Sequence, residues 1–445
     1  MKNLKKQFFS VSAALLLASC ASDRALVFEN PADDADRLRA LNSEIFVPYK
    51  KLTTPPGFHW FAYYDKLETD PSGRYVLAMK TDFEGRSPKA GDEIEIGMVD
   101  TSDGCKWVKL GTSKAWGWQQ GCQLQFIPQS KSEVIWNDRE GDKFIARIVD
   151  VETGKMRTID TPVYALSPDG KWAVTVDYSR VNDMRKGYGY SGIPDKFADE
   201  KFPSNAGIWK VDLKTGHKKL IVSHADAMKI PNPLDPEFAD AKHWFNHLLV
   251  SPDGKRFIFL HRWRYPDAAR TAKYKDVGGF GTRMFTASVD GGDLRIIDPY
   301  NYTSHFIWDT ESKNVVAWTR IPSNGEMRKG FYVIADTPAE KISRIGEGVM
   351  IDNGHNTFLG GHPEWILNDT YPREWTQHRQ EVYIYNVKTG EKKVIARLNS
   401  PEGYKGELRC DTHPRSTPDG TKVIVDSAHD GGRQIYMFDI SELIK

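Results

Sequence analysis

The sequence has little net charge and, after its first residues, no long hydrophobic segment. The 61 Lys and Arg residues nearly balance the 60 Asp and Glu residues, which leaves a formal net charge of +1. Such a balance argues against nucleic acid or an acidic membrane surface as a partner, because both require an excess of basic residues. We therefore expect any anionic ligand to be bound by a local cluster of cations.

Common catalytic motifs are also absent. Gly189-Tyr190-Ser191-Gly192 misses the spacing of the Gly-x-Ser-x-Gly nucleophile elbow. The chain has neither a P-loop nor a dinucleotide-binding glycine fingerprint. These absences argue against serine hydrolases of the α/β type and against the common nucleotide-binding enzymes.

Cysteine is scarce, with four in 445 residues. Cys20 follows a short apolar stretch, which leaves Cys105, Cys122 and Cys410 for the folded chain. Three is an odd number, so at least one thiol is unpaired or bound to another group. Cys105 and Cys122 are close enough in sequence to form a bridge. Cys410 lies in Cys-Asp-Thr-His, a spacing that is compatible with a metal site. The alternative is that Cys410 is a buried thiol without a chemical role.

The N-terminus reads as a processing signal. A basic start precedes the apolar stretch 8–18, which is too short to span a bilayer, and residues 17–20 (Leu-Ala-Ser-Cys) resemble a bacterial lipobox. We predict a lipoprotein signal peptide over 1–19 and lipidation of Cys20; an ordinary signal peptide is the alternative. Residues 20–42 read as a flexible tether. The prediction is a monomer that is lipid-anchored to a bacterial membrane, on the periplasmic or cell-surface face of the outer membrane.

A β-rich unit recurs through the rest of the chain. Four turns of one type are each followed by a β-rich run: Asp70-Pro71-Ser72-Gly73, Ser167-Pro168-Asp169-Gly170, Ser251-Pro252-Asp253-Gly254 and Thr417-Pro418-Asp419-Gly420. Counting the unmarked copies gives seven units: 62–101, 119–151, 162–213, 243–290, 302–336, 352–390 and 409–440. A repeat of about 40 to 50 residues with four short strands is typical of a β-propeller. We predict an all-β, seven-bladed β-propeller over 43–445.

Three segments modify this repeat. The last unit shows about three strands, and Ile45-Phe46-Val47-Pro48 can supply the fourth and close the ring. Residues 180–206 interrupt the third unit, and residues 222–242 separate the third from the fourth. Long insertions in a propeller commonly decorate one face and line a binding site.

Histidines occur at the same position relative to the turn in four successive units. His247, His305 and His413 each stand four residues before a turn residue, and His362 begins the matching segment of the sixth unit. The first strand of a propeller blade lines the central channel, so these side chains should converge on the axis. His261 should join them, because it lies at the same end of its hairpin as His247.

This convergence predicts a metal site, with a polar plug without metal as the alternative. The predicted ligands are His261, His362, Cys410 and His413. A thiolate with imidazoles favours zinc. Manganese or another divalent metal is the second choice.

Basic and phenolic residues flank the same segments. Arg262 and Arg264 follow His261, and Arg409 and Arg415 flank the Cys410 segment. Tyr188 and Tyr190 lie in the first insertion. Uronate β-elimination uses this set, since a cation neutralises the carboxylate, a base removes the C5 proton and an acid protonates the departing O4.

Four segments together resemble the β-propeller polysaccharide lyases, namely oligogalacturonate lyases and short ulvan lyases: HWFNHLLVSPDGKRFIFLHRW (243–263), SHFIWD (304–309), GHPEWILNDTYP (361–372) and CDTHPRSTPDGTKVIVDS (410–427). The resemblance covers most of 55–440. In oligogalacturonate lyases one histidine and a Gln/His/His cluster hold a metal, and the matching positions are His261, Cys410, His413 and Arg415. Because an arginine cannot ligate a metal and Cys410 replaces an amide, the resemblance favours zinc over a manganese centre.

The resemblance also suggests roles for the remaining residues. Histidine and tyrosine share acid and base work in ulvan lyases of this fold, and arginine binds the uronate. The predicted catalytic residues are Tyr188, His247, His305 and Arg264. The predicted substrate-binding residues are Tyr190, His243, Arg262 and Arg415. The predicted activity is cleavage of a uronate-containing polysaccharide or oligosaccharide by β-elimination; the alternative is a propeller that binds a glycan or a protein without chemistry.

Overall fold

The computed structural model describes residues 26–337 and 341–445. These residues form seven antiparallel sheets, six of four strands and one of five, which are the blades of a seven-bladed β-propeller. The predicted fold class is therefore confirmed. The predicted signal peptide and Cys20 lie outside the described residues.

The strands, in chain order, are β1 (Glu44–Ile45), β2 (Tyr49–Lys51), β3 (Phe58–Trp60), β4 (Tyr75–Thr81), β5 (Ile94–Asp100), β6 (Lys106–Ser113), β7 (Gln125–Phe126), β8 (Glu133–Glu140), β9 (Lys143–Asp150), β10 (Met156–Ile159), β11 (Ala165–Leu166), β12 (Trp172–Thr175), β13 (Gly207–Asp212), β14 (Lys218–Ser223), β15 (Lys242–Val250), β16 (Arg256–Arg264), β17 (Gly281–Ser288), β18 (Arg295–Asp298), β19 (Phe306–Trp308), β20 (Asn314–Ser323), β21 (Glu326–Ala335), β22 (Ile342–Ile345), β23 (Thr357–Leu359), β24 (His362–Asp369), β25 (Arg379–Asn386), β26 (Lys392–Asn399), β27 (Arg415–Ser416), β28 (Lys422–Ser427) and β29 (Gln434–Asp439).

The helices are short: α1 (Ala35–Ala40), α2 (Tyr178–Met184), α3 (His224–Met228) and α4 (Ala268–Thr271), with 3-10 turns at Phe238–Asp240, Ala272–Val277, Glu374–Thr376 and Gly406–Leu408. Within the described ranges, none of them is long and apolar enough to cross a membrane.

Each blade is a meander in which the first strand is innermost. Blades 1 to 6 begin with β3, β7, β11, β15, β19 and β23, and blade 7 begins with β27. A strand in the middle of a blade packs against a neighbouring blade on each face and is therefore buried on both. In β28, for example, only Lys422 is not buried. This explains why the strands read as continuous apolar runs rather than as alternating patterns.

The N-terminal segment closes the ring. β2 pairs with β29 as the outermost strand of blade 7, with Tyr49 opposite Phe438. β1 pairs instead with β26 as a fifth strand of blade 6, with Ile45 opposite Ala396. Closure from the N-terminus is thus as expected, but the closing strand starts just after the predicted segment 45–48, which bridges two blades.

The described part of the predicted tether, residues 26–42, packs against the ring. Glu29 forms a bridge with Tyr49, and α1 places Leu38 in the core shared by blades 6 and 7 with 4% of its surface exposed. Burial of this leucine ties α1 to the propeller.

The two insertions differ in what they contact. The first starts with α2, whose N-cap Asp177 accepts hydrogen bonds from the backbone N–H groups of Ser179 and Arg180. Residues at the end of α2 and just after it line the cleft described below. The second insertion lies against blade 4, where Asp235 accepts hydrogen bonds from Trp263 and Tyr265. The second insertion therefore supports blade 4 and, contrary to expectation, does not line the cleft.

His59 links blade 1 to blade 7 and makes stability pH-dependent. Its Nδ1 lies 2.9 Å from Oε1 of Gln434, and burial lowers the pKa of His59 to about 4 from 6.5. The unfolded chain binds this proton near pH 6.5 and the folded chain near pH 4, so stability is lost as pH falls through this range. When the pH falls from 6.5 to 5, the free energy of unfolding measured in urea should drop by about 1.6 kcal/mol less in His59→Gln than in the parent. Equal losses in the two proteins would contradict the assignment.

Candidate functional site

A cleft of about 1170 Å³ opens at one end of the hub. It is lined by the first insertion, by blades 4 to 6 and by the connection between blades 6 and 7. Its basic lining residues are Arg185, Lys186, Arg262, Arg264, Arg373, Lys405 and Arg409, and its acidic ones are Asp183, Asp276, Glu402 and Glu407. This excess of cations in a nearly neutral protein favours an anionic ligand.

Beneath the cleft, four histidines pack around the axis. The ring centroids of His305 and His355 are 4.2 Å apart, and those of His355 and His413 are 4.4 Å apart. His247 lies 5.2 Å from the ring of Tyr63, which also contacts His413 at 4.8 Å. Of the five histidines expected to converge on the hub, the structure brings His247, His305 and His413 together there.

The histidine of blade 6 is His355, not His362. His355 stands just before the innermost strand β23, whereas His362 begins the second strand β24 and has 30% of its side chain exposed. His355 precedes Leu359 by four residues, which is the same phase as in the other three blades. The turn that follows is Gly360-Gly361 rather than Pro-Asp-Gly, and this difference shifted the predicted register.

Tyr371 connects these histidines to the cleft. Its hydroxyl lies 3.4 Å from Nε2 of both His305 and His355. His305 has Nδ1 3.0 Å from Oδ1 of Asn353, so Nδ1 donates and Nε2 is free to accept. Burial lowers the pKa of His305 well below 6.5 and raises the pKa of Tyr371 well above its ordinary value. At neutral pH the imidazole is therefore neutral and the phenol protonated.

Tyr188 is a second phenol of the cleft, and its surroundings shift its pKa in the direction opposite to that of Tyr371. Its ring lies 3.7 Å from the Arg185 guanidinium, and its hydroxyl lies 3.4 Å from Nη2 of Arg409. Burial raises the pKa of a phenol, but these two guanidinium groups outweigh burial and lower the pKa of Tyr188 below its ordinary value. Two tyrosines of one cleft are thus held in environments that shift their pKa values in opposite directions.

Arg262 and Arg264 flank this pair on β16. Arg262 donates a hydrogen bond of 3.1 Å to Oδ1 of Asn246, and burial with the nearby Arg185 lowers the pKa of Arg262 to about 9. Arg262 is still a cation at neutral pH, and its desolvated charge is available to a bound anion. Arg264 lines the same cleft over the ring of Phe280.

Three residues of the hub could hold a metal ion. The ligand atoms of His355, Asp411 and His413 all lie within 4.8 Å of one another, and all three residues are buried. Nε2 of His413 is buried without a hydrogen-bond partner among the described residues. His355 donates from Nδ1 to the carboxylate of Asp369 at 2.9 Å, and a hydrogen bond of this kind orients a metal-binding imidazole. Two imidazoles and a carboxylate suit manganese, iron or zinc.

Of the four predicted ligands, the structure places only His413 in this group. His261 lies inside blade 4, and His362 lies 3.6 Å from Glu364 near the surface. Cys410 is buried next to the group, but burial raises the pKa of its thiol, which disfavours the thiolate that binds metals. The ligand prediction is thus corrected to His355, Asp411 and His413.

Three of the predicted substrate-binding residues lie away from the cleft. His243 donates from Nε2 to the Phe238 carbonyl, and its Nδ1 lies 2.8 Å from Nε2 of His261. Tyr190 stacks on Tyr178 with centroids 4.1 Å apart. These residues pack the insertions onto blades 3 and 4, and only Arg262 of the predicted four lines the cleft.

Arg415 is also structural. It is 3% exposed and pairs with Glu68 at 2.7 Å and Asp426 at 3.2 Å, which joins the inner strands of blade 7 to blade 1. Its charge is compensated inside the protein, so it is not available to a substrate.

The three remaining cysteines are free thiols. Cys122 packs against the sulfur of Met79 at 3.6 Å, and Cys105 lies on the other side of blade 1. The bridge considered between Cys105 and Cys122 is not formed.

The metal group leads to a direct prediction. We expect purified protein incubated with manganese or zinc and then desalted to retain about one ion per chain, measured by elemental analysis. His413→Ala should bind the ion at least 10-fold more weakly, since removing a ligand costs no less than removing a hydrogen bond that orients one. The matched control is His362→Ala, which should bind as the parent does. Equal metal content in the two variants would contradict this site.

Reasoning from sequence missed His355, Tyr371, Arg185 and Asp411. The phase of His355 was detectable, and Asp411 lies inside the Cys-Asp-Thr-His segment that was singled out for its cysteine. Tyr371 and Arg185 stand in loops without any repeat, and no pattern in the sequence marks them.

Comparisons with known proteins show the fold. No protein-family model matches the sequence, and no curated protein matches it. Among solved structures, an oligogalacturonate lyase in complex with manganese aligns over 89% of this chain and 93% of its own, with a TM-score of 0.60 and 16% identity. An oligogalacturonate lyase from Vibrio parahaemolyticus aligns over 91% and 98%, with a TM-score of 0.59 and 16% identity. The chain is therefore a seven-bladed β-propeller similar in fold to oligogalacturonate lyases.

Proposed function

We propose that the protein is a polysaccharide lyase that cleaves uronate-containing polysaccharides or oligosaccharides by β-elimination. The observation that carries the proposal is the pair Tyr188 and Tyr371. Both reach a cleft rich in arginine, and their pKa values are shifted in opposite directions. Paired groups of this kind are typical of a base and an acid that act in one reaction.

Tyr188 is the proposed base. In its ionised form it removes the C5 proton of the uronate, whose acidity depends on neutralising the adjacent carboxylate. Arg262 and Arg264 lie in the same cleft, and a guanidinium binds a carboxylate through two parallel hydrogen bonds. This arrangement accounts for the concentration of arginine around a phenolate.

Tyr371 is the proposed acid. As the C5 proton leaves, the C4–C5 double bond forms and the C4–O4 bond breaks, and the phenol of Tyr371 donates its proton to the departing O4. The leaving chain is then neutral at O4, and the new terminus is unsaturated. His305 and His355 contact the Tyr371 hydroxyl through Nε2 and position it for this transfer. Each of the two transfers contributes about 10² to 10⁴ in rate.

A divalent ion held by His355, Asp411 and His413 would add Lewis-acid neutralisation of the uronate carboxylate. Manganese and zinc both suit these ligands. The oligogalacturonate lyase with bound manganese supports a metal in this fold.

The test is a panel of anionic polysaccharides. Purified protein is incubated with pectate, oligogalacturonates, ulvan and glycosaminoglycans, with and without manganese or zinc, and the unsaturated product is followed by its ultraviolet absorbance. We expect new absorbance with at least one uronate polymer and none with neutral glycans. Saturable binding without product across the panel would instead support a non-catalytic glycan-binding propeller.

The location is part of the proposal. The segment at residues 17–20 supports a lipid anchor at Cys20 of a bacterial lipoprotein, which would place the cleft outside the cytoplasm, where polysaccharides are degraded.

A further inference from the structure

A second cavity of about 530 Å³ lies in blade 6, where its lining residues Thr370 and Thr376 directly precede the cleft residues Tyr371 and Gln377. It is walled by Trp375 and Ile351, whose surfaces are 72% and 68% exposed. Among the described residues, Trp375 is the only tryptophan whose side chain is largely exposed to solvent. Trp375 and Ile351 together give this cavity an exposed apolar wall, and exposed apolar surface beside a cavity commonly marks a ligand-binding groove.

The turn that carries Trp375 is rigid. It is closed by a hydrogen bond of 2.8 Å from the His378 N–H to the Arg373 carbonyl, and by one of 3.0 Å from the Arg373 N–H to the hydroxyl of Thr376. Gln377 and His378 both adopt the left-handed conformation, with φ of 55° and 61°. Side chains other than glycine rarely adopt this conformation, and such strain is retained mainly where a fixed geometry is useful. The indole is therefore presented on a pre-formed platform.

The same segment separates the two cavities. Tyr371, Arg373 and His378 line the cleft, whereas Trp375 lines the second cavity. The Arg373 guanidinium lies 5.9 Å from the centroid of the Tyr371 ring and 5.8 Å from that of Trp375. A chain that leaves the proposed acid thus meets first a cation and then an exposed aromatic face.

Charge at the border of the second cavity suits an anionic chain. Inside the cavity, Arg379, Lys392 and Arg397 are paired with Glu44 and Glu381, so their charges are compensated. Arg373 at the border has its Nε buried without a hydrogen-bond partner among the described residues, so this guanidinium can bind a carboxylate. The aromatic wall and this cation match a uronate sugar, which has an apolar ring face and a carboxylate.

We propose that Trp375 and the second cavity form a distal subsite that binds a further sugar ring of the same uronate chain. This inference rests on the proposed function. The distal ring stacks on the indole of Trp375 while its neighbour crosses Arg373, so an oligosaccharide of four units engages both cavities and a dimer engages only the cleft. The platform selects for chain length without taking part in the reaction.

The test is binding by calorimetry in the Tyr188→Phe background, which slows turnover. The probes are dimers and tetramers of galacturonate and of ulvan. In at least one series we expect the tetramer to bind about tenfold more tightly than the dimer, in line with one aromatic stacking contact. Trp375→Ala should remove most of this difference and leave the dimer within twofold, while Trp375→Phe should retain most of it.

Two controls make the outcomes distinct. Phe202→Ala removes another exposed ring, in the first insertion, and should leave the affinities for both probes unchanged; thermal unfolding should show that each variant is folded. Equal affinity of Trp375→Ala and its background for the tetramer would overturn the distal subsite alone. Failure of every uronate probe to bind would overturn the proposed function and this inference with it.

Discussion

Replacing Tyr188 by phenylalanine is expected to lower kcat for elimination by about 10² to 10⁴, the usual contribution of one proton-transfer group. Phe keeps the ring that packs on Arg185 and removes only the hydroxyl that contacts Arg409. KM should change little, since the cations of the cleft remain. Initial rates measured by ultraviolet absorbance on the best substrate of the panel provide the measurement.

The matched control is Tyr190→Phe, two residues further on. This hydroxyl hydrogen-bonds to Asn137 at 2.9 Å in the packed interior, so its loss should cost about 1 kcal/mol of stability and leave kcat unchanged. In the parent, the rate should rise with pH as Tyr188 ionises and fall only where Tyr371 loses its proton. A Tyr188→Phe variant with parental kcat would remove this residue from the reaction.

The second large effect is expected from Arg180→Ala. The guanidinium is 1% exposed, pairs with Asp195 at 3.0 Å and donates to the carbonyls of His243, Phe197, Glu200 and Lys201. Its removal leaves the buried carboxylate of Asp195 with only Lys242 and the Phe197 N–H as partners among the described residues, and leaves several carbonyls unsatisfied. We expect the free energy of unfolding to fall by about 3 to 5 kcal/mol, measured in urea.

Two further variants distinguish the loss of this buried network from the loss of a positive charge elsewhere in the protein. Arg157→Ala removes a half-exposed partner of Glu133 and should cost less than about 1 kcal/mol. Arg180→Lys keeps the charge but lacks the planar fork, so it should be destabilised to an intermediate degree. If Arg180→Ala unfolded at the urea concentration of Arg157→Ala, the first insertion would not depend on this network.

The number of blades could be predicted because each blade is a local unit with its own turns. The Pro-Asp-Gly turns and the short apolar runs are adjacent in sequence, so the repeat is visible without knowing how blades pack. The strand that closes the ring was placed a few residues too early. Nothing local distinguishes Ile45, which pairs in blade 6, from Tyr49, which pairs in blade 7.

The candidate site was predictable only where it follows the repeat. His247, His305 and His413 each stand four residues before a turn and converge. His355 has the same spacing, but the turn that follows it is unusual. Tyr188 was identified from its neighbourhood in an insertion. His261 was misplaced because pairing at the same hairpin end says nothing about side-chain direction. It faces the interior of the blade, where Arg283 donates to its Nδ1 at 3.2 Å.

Residues that act through charge were the hardest to foresee. The lowered pKa of Tyr188 depends on Arg185, three residues away, and on Arg409, more than 200 residues away. The metal group likewise joins His355 to Asp411 across two blades. Such pairings are set by the closure of the ring and have no signature in either segment alone.

Because β2 completes blade 7 beside β29, residues 49–51 and 434–439 share one sheet although almost 400 residues separate them. A chain under synthesis therefore cannot complete blade 7 until β29 has been made, and the apolar flanks of its first and sixth blades stay uncovered until then. Deleting β29 should consequently leave a product that aggregates instead of a smaller stable propeller.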